Sequence, residues 1–270
     1  MIVFPNCKIN LGLHITRKRE DGYHDLETIF YPLLIRDILE FIPAPAFSFQ
    51  TSGLSIPLEP EQNLCVKAYR LLKSRFSQIP ELSIYLHKVI PMGAGLGGGS
   101  ADGSFILKAM NAYFSLGLQT EELLDLSLQL GSDCPFFIIN KPVYARGRGE
   151  IMEPLSIDLS GYHIILINPG IQVSTAAAFS GIVPALPLHS LRNRILEPVE
   201  TWKDWLTNDF EKTVFEQFPG IARIREWLYS RGAIYASMTG SGSSCYGLFR
   251  ENPDLAGNPE GSAVFHVPAK

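Results

Sequence analysis

The densest glycine cluster in the chain constrains its fold more than any other feature. Residues 91–103, PMGAGLGGGSADG, include six glycines, and five of them fall within residues 93–99. Glycine loses much conformational freedom on folding and adds no side chain to a core, so such a cluster indicates close approach of another group to the main chain. The segment ELSIYLHKVIP (81–91) before it predicts a strand, and SADGSFILKAMNAYF (100–114) after it predicts a helix.

A helix N-terminus beside bare backbone favours an anion, because unpaired N–H groups and the helix dipole both attract negative charge. The cluster matches the dinucleotide pattern G-x-G-x-x-G, but a second helix containing Glu121 and Glu122 follows where that fold needs a strand. A Walker A loop needs a lysine that is absent here. Tight packing of the helix against the strand would by itself require fewer glycines than the segment contains. The sequence therefore predicts a cradle for the phosphates of ATP, with the Ser100 hydroxyl placed to bind a magnesium ion.

Composition limits the partners of the chain. Its 270 residues, 46% of them hydrophobic, can form one large domain or two ordinary ones. The net charge of −4 leaves no basic excess, so we expect no nucleic-acid partner. Glycines and prolines interrupt the uncharged segment 159–191, and the first residues do not resemble a signal peptide, which predicts a cytoplasmic protein without a membrane partner. The four cysteines match no zinc-ligand spacing, and no pattern indicates the oligomeric state.

The rest of the chain alternates short strands and helices. The segment CKINLGLHI (7–15) predicts a strand in which Lys8 and Asn10 share one face, opposite an apolar face. Further strands are predicted over 23–33 and within 38–49, a buried strand that ends in a loop is predicted within 163–170, and a glycine-rich turn that runs into a late strand is predicted within 236–249. Helices are predicted over 61–72, 120–131 and twice within 202–230, and a turn over 146–150.

Three segments, in order, resemble the motifs of the GHMP small-molecule kinases, a family named for galactokinase, homoserine kinase, mevalonate kinase and phosphomevalonate kinase. They are KINL (8–11), PMGAGLGGGSA (91–101) and MTGSGSSC (238–245). The resemblance implies an α+β, two-domain GHMP kinase fold. A ribosomal-protein-S5-like N-terminal domain (1–150) would carry the ATP-binding glycine loop, and a ferredoxin-like C-terminal domain (151–270) would follow. ATP and Mg²⁺ are the implied phosphate donor and metal.

Other segments are similar to one branch of this family: KINLGLHITRKREDGYHDLETIF (8–30), GSDCPFF (131–137) and NPGIQVST (168–175). That branch phosphorylates the 2-hydroxyl of a cytidine diphosphate-linked methylerythritol in the non-mevalonate route to isoprenoids. The resemblance implies the same small-molecule substrate for this chain. Two alternatives stay open: another GHMP kinase, such as mevalonate or homoserine kinase, and a non-catalytic metabolite-binding relative.

The resemblance assigns Asp133 as the base that receives the hydroxyl proton, with Lys8 as its partner. Phosphoryl transfer needs chiefly positioning, positive charge and a proton acceptor, so a paired lysine and carboxylate suit the chemistry. From spacing alone, Asp133 is equally compatible with capping a short helix before Pro135, and Lys8 with a solvated strand face.

The same resemblance implies a cytosine site. Tyr23 would stack on the base, His24 would hydrogen-bond to it, Phe179 would close the other side, and Asn10 would bind near the reacting hydroxyl. An aromatic ring beside a group with donor and acceptor nitrogens suits a pyrimidine, although an ordinary strand end is the alternative for Tyr23 and His24.

The resemblance assigns more residues to the binding of ATP than to the binding of cytosine. It comprises Pro91, Met92, Gly93, Ala94, Gly95, Leu96, Gly97, Gly98, Gly99, Ser100 and Ala101, together with Asn63 and Lys88, each of which alone is compatible with a surface position. Asp102 departs from the family pattern, because its carboxylate would repel phosphate unless magnesium lies between them. Residues 239–243 are expected to form a second backbone wall near the phosphates. Arg146 and Arg148 lie in a turn that is either solvated or close to the substrate diphosphate.

Overall fold

The structure is a computed structural model that describes residues 1–268. Within them the chain forms twelve strands and eight α-helices. The strands are β1 (Ile2–Val3), β2 (Asn6–Lys18), β3 (His24–Arg36), β4 (Ile38–Pro43), β5 (Ser48–Gly53), β6 (Leu82–Lys88), β7 (Val143–Gly147), β8 (Ile151–Pro154), β9 (His163–Asn168), β10 (Tyr235–Met238), β11 (Cys245–Phe249) and β12 (Ala263–Val267). The helices are α1 (Leu64–Arg75), α2 (Gly98–Tyr113), α3 (Thr120–Leu128), α4 (Cys134–Ile139), α5 (Thr175–Phe179), α6 (Leu191–Arg194), α7 (Phe210–Gln217) and α8 (Pro219–Ser230), with short 3-10 helices at Pro60–Gln62 and Val199–Asp204.

The chain divides into two compact units. The first comprises Met1–Lys8, Pro32–Met92 and Gly97–Lys141, and the second comprises Ile9–Tyr31, Gly93–Leu96 and the chain from Pro142 onward. In the first unit the strands follow the order β1-β4-β6-β5, and all neighbours are antiparallel except β5 and β6. Helices α1 to α4 belong to this unit, whose core includes Phe41, Tyr69, Leu72, Ile84 and Met110.

The second unit contains the antiparallel sheet β10-β11-β9-β12. Helices α7 and α8 contribute Val214, Ile224 and Leu228 to a core that also includes Ile165 and Met238. A further sheet has the order β2-β3-β7-β8, in which residues 148–150 join the antiparallel strands β7 and β8. The predicted turn therefore connects two strands of one sheet.

Strand β2 is buried on both faces over most of its length. Residues 6–13 are all buried, so Lys8 and Asn10 lie inside the protein as completely as Cys7 and Ile9. The alternation in the sequence predicts a polar and an apolar face, and the structure buries both. A buried lysine needs a charged or polar partner, so the polar face of β2 indicates a place where polar side chains of different segments meet.

None of the helices within residues 1–268 has the length and apolar character that crossing a bilayer requires.

Candidate active site

The glycine loop connects the end of β6 to the start of α2, as the sequence predicts. Gly93, Gly95 and Gly97 adopt positive φ angles of 64°, 77° and 68°. Several of the glycines are also required by close packing. A Cβ atom at Gly97 would lie 2.9 Å from Cζ of Phe137, and one at Gly98 would lie 2.8 Å from Cγ2 of Ile90. These distances are too short for a side chain, so local geometry alone explains part of the cluster.

Gly99 has neither of those reasons to be glycine. Its φ lies outside the positive region, and a Cβ atom there would meet no atom within 4 Å in the described part of the chain. It lies in the first turn of α2, where the N–H groups have no partner within the helix. The open backbone at Gly99 and at Gly93, which also has no neighbour within 4 Å, fits an approaching anion.

The remaining residues of the loop are enclosed to different degrees. Ala94, Leu96 and Ala101 are buried, whereas Pro91, Met92 and Ser100 are partly exposed. The carbonyl of Ser100 accepts a hydrogen bond of 2.8 Å from the Ser104 hydroxyl. Ser100 therefore combines a fixed backbone with a partly accessible side chain.

Lys8 and Asp133 lie together in the first unit. The Lys8 Nζ atom lies 3.7 Å from Oδ2 of Asp133, and the side chains are 4% and 37% exposed respectively. Burial lowers the pKa of Lys8, and the neighbouring Asp133 opposes that shift. The side chain of Asp133 makes no capping hydrogen bond to α4 among the described residues, although the residue occupies the N-cap position. The carboxylate thus faces Lys8 and solvent.

The end of the glycine loop lies against this pair. A Cβ atom at Gly97 would lie 3.3 Å from Cγ of Lys8, so the first residue before α2 contacts the lysine side chain. Asp133, Lys8 and the start of α2 therefore come together within one unit.

Lys88 is enclosed rather than on the surface. It is 1% exposed, and its Nζ atom donates to Asp37 at 2.5 Å and to Asp102 at 2.7 Å. Asp102 is itself 2% exposed, and its carboxyl group pairs with Lys88. Asp37 was not predicted from the sequence, where it is a single carboxylate between two apolar segments.

Asn63 is buried as well and has a structural partner. Its side chain caps α1 by accepting a hydrogen bond of 2.9 Å from the Cys65 N–H. A surface position is wrong for both Asn63 and Lys88. Their contact with nucleotide stays a prediction.

Asn10 is held by hydrogen bonds in the second unit. Its Nδ2 donates to Thr28 at 2.9 Å, and its backbone N–H donates to the Thr239 hydroxyl at 2.9 Å. The Tyr246 hydroxyl donates to the Asn10 carbonyl at 2.8 Å. These contacts fix the orientation of Asn10, and its role toward the substrate stays a prediction.

The aromatic residues assigned to cytosine also lie in the second unit. His24 and Phe179 stack with ring centroids 4.6 Å apart and an interplanar angle of 25°, so Phe179 contacts the histidine directly. Tyr23 is 53% exposed, and the Arg148 guanidinium carbon lies 4.0 Å from the centroid of its ring. Arg148 thus covers one face of Tyr23, an arrangement that the glycine-rich turn RGRGE did not reveal. Arg146 instead pairs with Glu153 at 2.8 Å.

Residues 239–244 pack against the first half of the glycine loop within the second unit. The Thr239 hydroxyl donates to the Gly95 carbonyl at 3.2 Å, and the Ser244 N–H donates to the Ala94 carbonyl at 3.3 Å. A Cβ atom at Gly95 would lie 2.0 Å from the carbonyl oxygen of Thr239. Two backbone segments far apart in sequence therefore contact each other directly.

The chain is similar to known proteins over most of its length. Residues 63–141 match the model of the GHMP kinases N terminal domain, and residues 191–258 match that of the GHMP kinases C terminal. The chain is 54% identical over 253 residues to the 4-diphosphocytidyl-2-C-methyl-D-erythritol kinase of Bacteroides fragilis, covering 92% of each protein. It is 49% identical over 269 residues to the kinase of the same name from Bacteroides thetaiotaomicron, covering 98% of each.

Solved structures give the same result. A crystal structure of 4-(cytidine 5'-diphospho)-2C-methyl-D-erythritol kinase has a TM-score of 0.76 at 31% identity, covering 92% of this chain and 90% of that one. The mevalonate kinase of Methanococcus jannaschii has a TM-score of 0.70 at 13% identity, covering 98% and 97%, which is a likeness of fold alone. The predicted GHMP kinase fold, with its N- and C-terminal domains, is confirmed. The chain belongs to the GHMP kinase family of small-molecule kinases.

Proposed function

We propose that the protein transfers the γ-phosphoryl group of ATP to the 2-hydroxyl of 4-diphosphocytidyl-2-C-methyl-D-erythritol, a step of the non-mevalonate isoprenoid pathway. The observation that carries this proposal is the 54% identity, over 92% of the chain, to a kinase named for that substrate. Mevalonate and homoserine kinases share the fold at only 13% and 15% identity.

In this proposal Asp133 and Lys8 perform the proton transfer and stabilise charge. The 2-hydroxyl oxygen forms a bond to the γ-phosphorus while the bond to the bridging oxygen of ADP breaks, and Asp133 accepts the hydroxyl proton. Lys8, 3.7 Å from that carboxylate, places a positive charge beside the base and offsets negative charge on the phosphoryl oxygens. Because Lys8 is buried and fixed by its surroundings, it loses little freedom on reaching the transition state.

As a member of a kinase family, the protein uses ATP as a substrate. The open backbone at Gly93 and Gly99 and the unpaired N–H groups that begin α2 suit the phosphates. The partly exposed Ser100 fits a magnesium ion that arrives with the nucleotide, since Mg²⁺ usually takes few protein ligands beside phosphate oxygens. Bound there, Mg²⁺ would neutralise charge on the phosphates.

Tyr23, His24 and Phe179 would bind the cytosine. Tyr23 offers an exposed ring with Arg148 against its other face, and His24 is held by its stack on Phe179.

The proposal also includes two domains, residues 1–150 and residues 151–270. It includes a cytosolic location for the protein as well.

Purified protein with ATP and magnesium tests the function through release of ADP. We expect turnover of 4-diphosphocytidyl-2-C-methyl-D-erythritol and none of mevalonate or homoserine. Turnover of another alcohol alone would keep the kinase chemistry and contradict the cytosine site. Absence of turnover with all three, while ADP still binds, would favour a non-catalytic relative.

A further inference from the structure

The two residues at the end of the turn between β2 and β3, Tyr23 and His24, are those assigned to the cytosine base. The backbone closes this turn: the Arg19 N–H donates to the Tyr23 carbonyl at 2.8 Å, and the Gly22 N–H donates to the Arg19 carbonyl at 3.3 Å. Tyr23 is 53% exposed, so packing in a core does not fix its ring. The contacts that hold the turn therefore determine where the ring lies.

The guanidinium group of Arg19 joins the two carboxylates that flank Tyr23 and His24 in sequence. On one side its Nε and Nη2 atoms lie 3.0 Å and 2.9 Å from Oδ2 of Asp21. On the other side its Nη1 atom donates to Oδ1 of Asp25 at 3.1 Å. Asp21 precedes Tyr23 by two residues and Asp25 follows His24 directly. One side chain thus ties the chain on both sides of the two residues, all within the second unit.

The carboxylate of Asp21 also holds the main chain that carries the ring. Its Oδ1 atom accepts a hydrogen bond of 3.1 Å from the Tyr23 N–H. The Arg19 guanidinium, together with this N–H, holds the pKa of Asp21 below its usual value, so the carboxylate stays ionised. Asp25 has a second partner in Arg17, whose Nη2 lies 2.6 Å from its Oδ2. An isolated ion pair on a surface contributes little, whereas a network of two-pronged pairs restrains its members more strongly.

Arg148 restricts the ring of Tyr23 from outside the turn. Its guanidinium carbon lies 4.0 Å from the ring centroid, so one face of the ring is covered. A planar base that stacks on Tyr23 then has to use the opposite face. Tyr23 and His24 can contact one base together while the turn keeps that face and the His24 ring in a fixed relation.

We propose that Arg19 is a positioning residue for the cytidine substrate. By bridging Asp21 and Asp25, Arg19 holds the turn in the form that presents Tyr23 and His24 to the base, and it takes no part in phosphoryl transfer. The inference rests on the proposed function and adds a residue to its substrate site. Pre-organisation of a binding site reduces the ordering that binding requires, so loss of Arg19 weakens binding of the cytidine substrate.

Steady-state kinetics with 4-diphosphocytidyl-2-C-methyl-D-erythritol, ATP and magnesium test the inference. Arg19→Ala should raise the KM for the cytidine substrate by about 5- to 20-fold, within the range for lost stacking of a base. Both kcat and the KM for ATP should change by less than about twofold, because the reacting groups are not altered.

Arg17→Ala is the matched control. It removes the same charge two residues away and breaks a pair with Asp25, but it leaves the contacts between Arg19 and Asp21 in place. The KM for the cytidine substrate should change by less than about twofold, as expected for an exposed ion pair. An equal rise in KM for Arg17→Ala and Arg19→Ala would overturn the inference, because the effect would then follow from lost charge near an anionic substrate.

Arg19→Lys separates geometry from charge. Lysine keeps the positive charge but lacks the planar fork that reaches two carboxylates at once, so the KM should still rise by at least about threefold. A wild-type KM in this variant would show that charge alone matters and would also overturn the inference.

A double-mutant cycle shows whether Arg19 acts through the ring. In a Tyr23→Ala background, Arg19→Ala should raise the KM by clearly less than it does in the wild-type protein, because the ring that it positions is gone. A full additional rise would contradict the positioning role. Thermal unfolding of the same proteins checks that each is folded before its KM is compared. Absence of turnover of the cytidine compound by the wild-type protein would instead contradict the proposed function, and the positioning role would be lost with it.

Discussion

The ammonium group of Lys8 faces the carboxylate of Asp133 across 3.7 Å, from the interior of the first unit toward a side chain that is 37% exposed. A buried cation beside a partly accessible carboxylate can steady an ionised base while leaving it open to a reactant. The same Asp133 occupies a helix N-cap without using its side chain for capping. The structure thus gives this carboxylate no capping role that would compete with proton transfer.

Replacement of Asp133 by asparagine should remove the base and leave nucleotide binding intact. We expect kcat to fall by about 10²- to 10⁴-fold, the usual contribution of a positioned acid or base. The Kd for ADP should change little, because the glycine loop is not altered. Steady-state kinetics and calorimetry on the same preparation measure both quantities. Near-normal turnover in this variant would exclude Asp133 from the mechanism.

Truncation of Tyr23 should affect the cytidine substrate and spare ATP. Stacking of a base on an aromatic ring is worth about 1–3 kcal/mol, so Tyr23→Ala should raise the KM for the cytidine substrate by about 5- to 100-fold. Tyr23→Phe is the matched control, because it keeps the ring and the contact with Arg148. An unchanged KM in the alanine variant would contradict the cytosine assignment.

Two glycines with open space around a Cβ position allow the effect of a methyl group on ligand binding to be separated from its effect on folding. Gly99→Ala places a methyl group where the structure has no atom within 4 Å, and alanine favours a helix over glycine by about 1 kcal/mol. We therefore expect thermal stability to be unchanged or slightly higher, while the Kd for ADP rises by about tenfold because the methyl group occupies the space for phosphate.

Gly161→Ala is the control for that experiment. Gly161 also has no neighbour within 4 Å and no positive φ, but it lies in a turn before β9. This variant should change neither stability nor the Kd for ADP. Equal nucleotide binding by the Gly99 and Gly161 variants would show that the phosphates do not use the backbone at Gly99.

The strand, glycine loop and helix were predictable from sequence because their signals are local. Periodicity marks β6 and α2, and glycine marks the chain between them. The reasons for individual glycines were not predictable. A side chain at position 95 would collide with the backbone of Thr239, and one at position 97 would collide with the ring of Phe137. Long-range packing brings both neighbours to the loop.

Long-range contacts also explain what the sequence missed at charged positions. Lys88 ends an alternating strand and is compatible from sequence with a surface position, yet Asp37 and Asp102 enclose it. The three residues are far apart in sequence, and the hydrophobic pattern does not indicate that they meet. Likewise the stack of Phe179 on His24 joins two segments that share no local pattern.

The buried carboxylate of Glu211, which pairs with the partly exposed Arg225 in the second unit, should contribute to stability. Glu211 on α7 is 9% exposed; it accepts hydrogen bonds from the Ser237 hydroxyl and the Met238 N–H, both at 2.8 Å, and pairs with Arg225 at 2.6 Å. These contacts anchor β10, the strand that leads into residues 239–244. Loss of Glu211 would leave the Arg225 charge and two donors without their acceptor.

Glu211→Ala should therefore lower the free energy of unfolding by about 1–3 kcal/mol, the usual cost of leaving buried donors without an acceptor, because the partly exposed Arg225 can still be hydrated. Glu216→Ala on the same helix is the matched control, because Glu216 is exposed and its loss should change stability by less than about 0.5 kcal/mol. Urea unfolding followed by far-UV circular dichroism measures both variants. If the two variants unfold at the same urea concentration, Glu211 does not stabilise β10 through its charge. A large loss confined to Glu211→Ala would instead show that the contacts of Glu211 with β10 and Arg225 stabilise the fold.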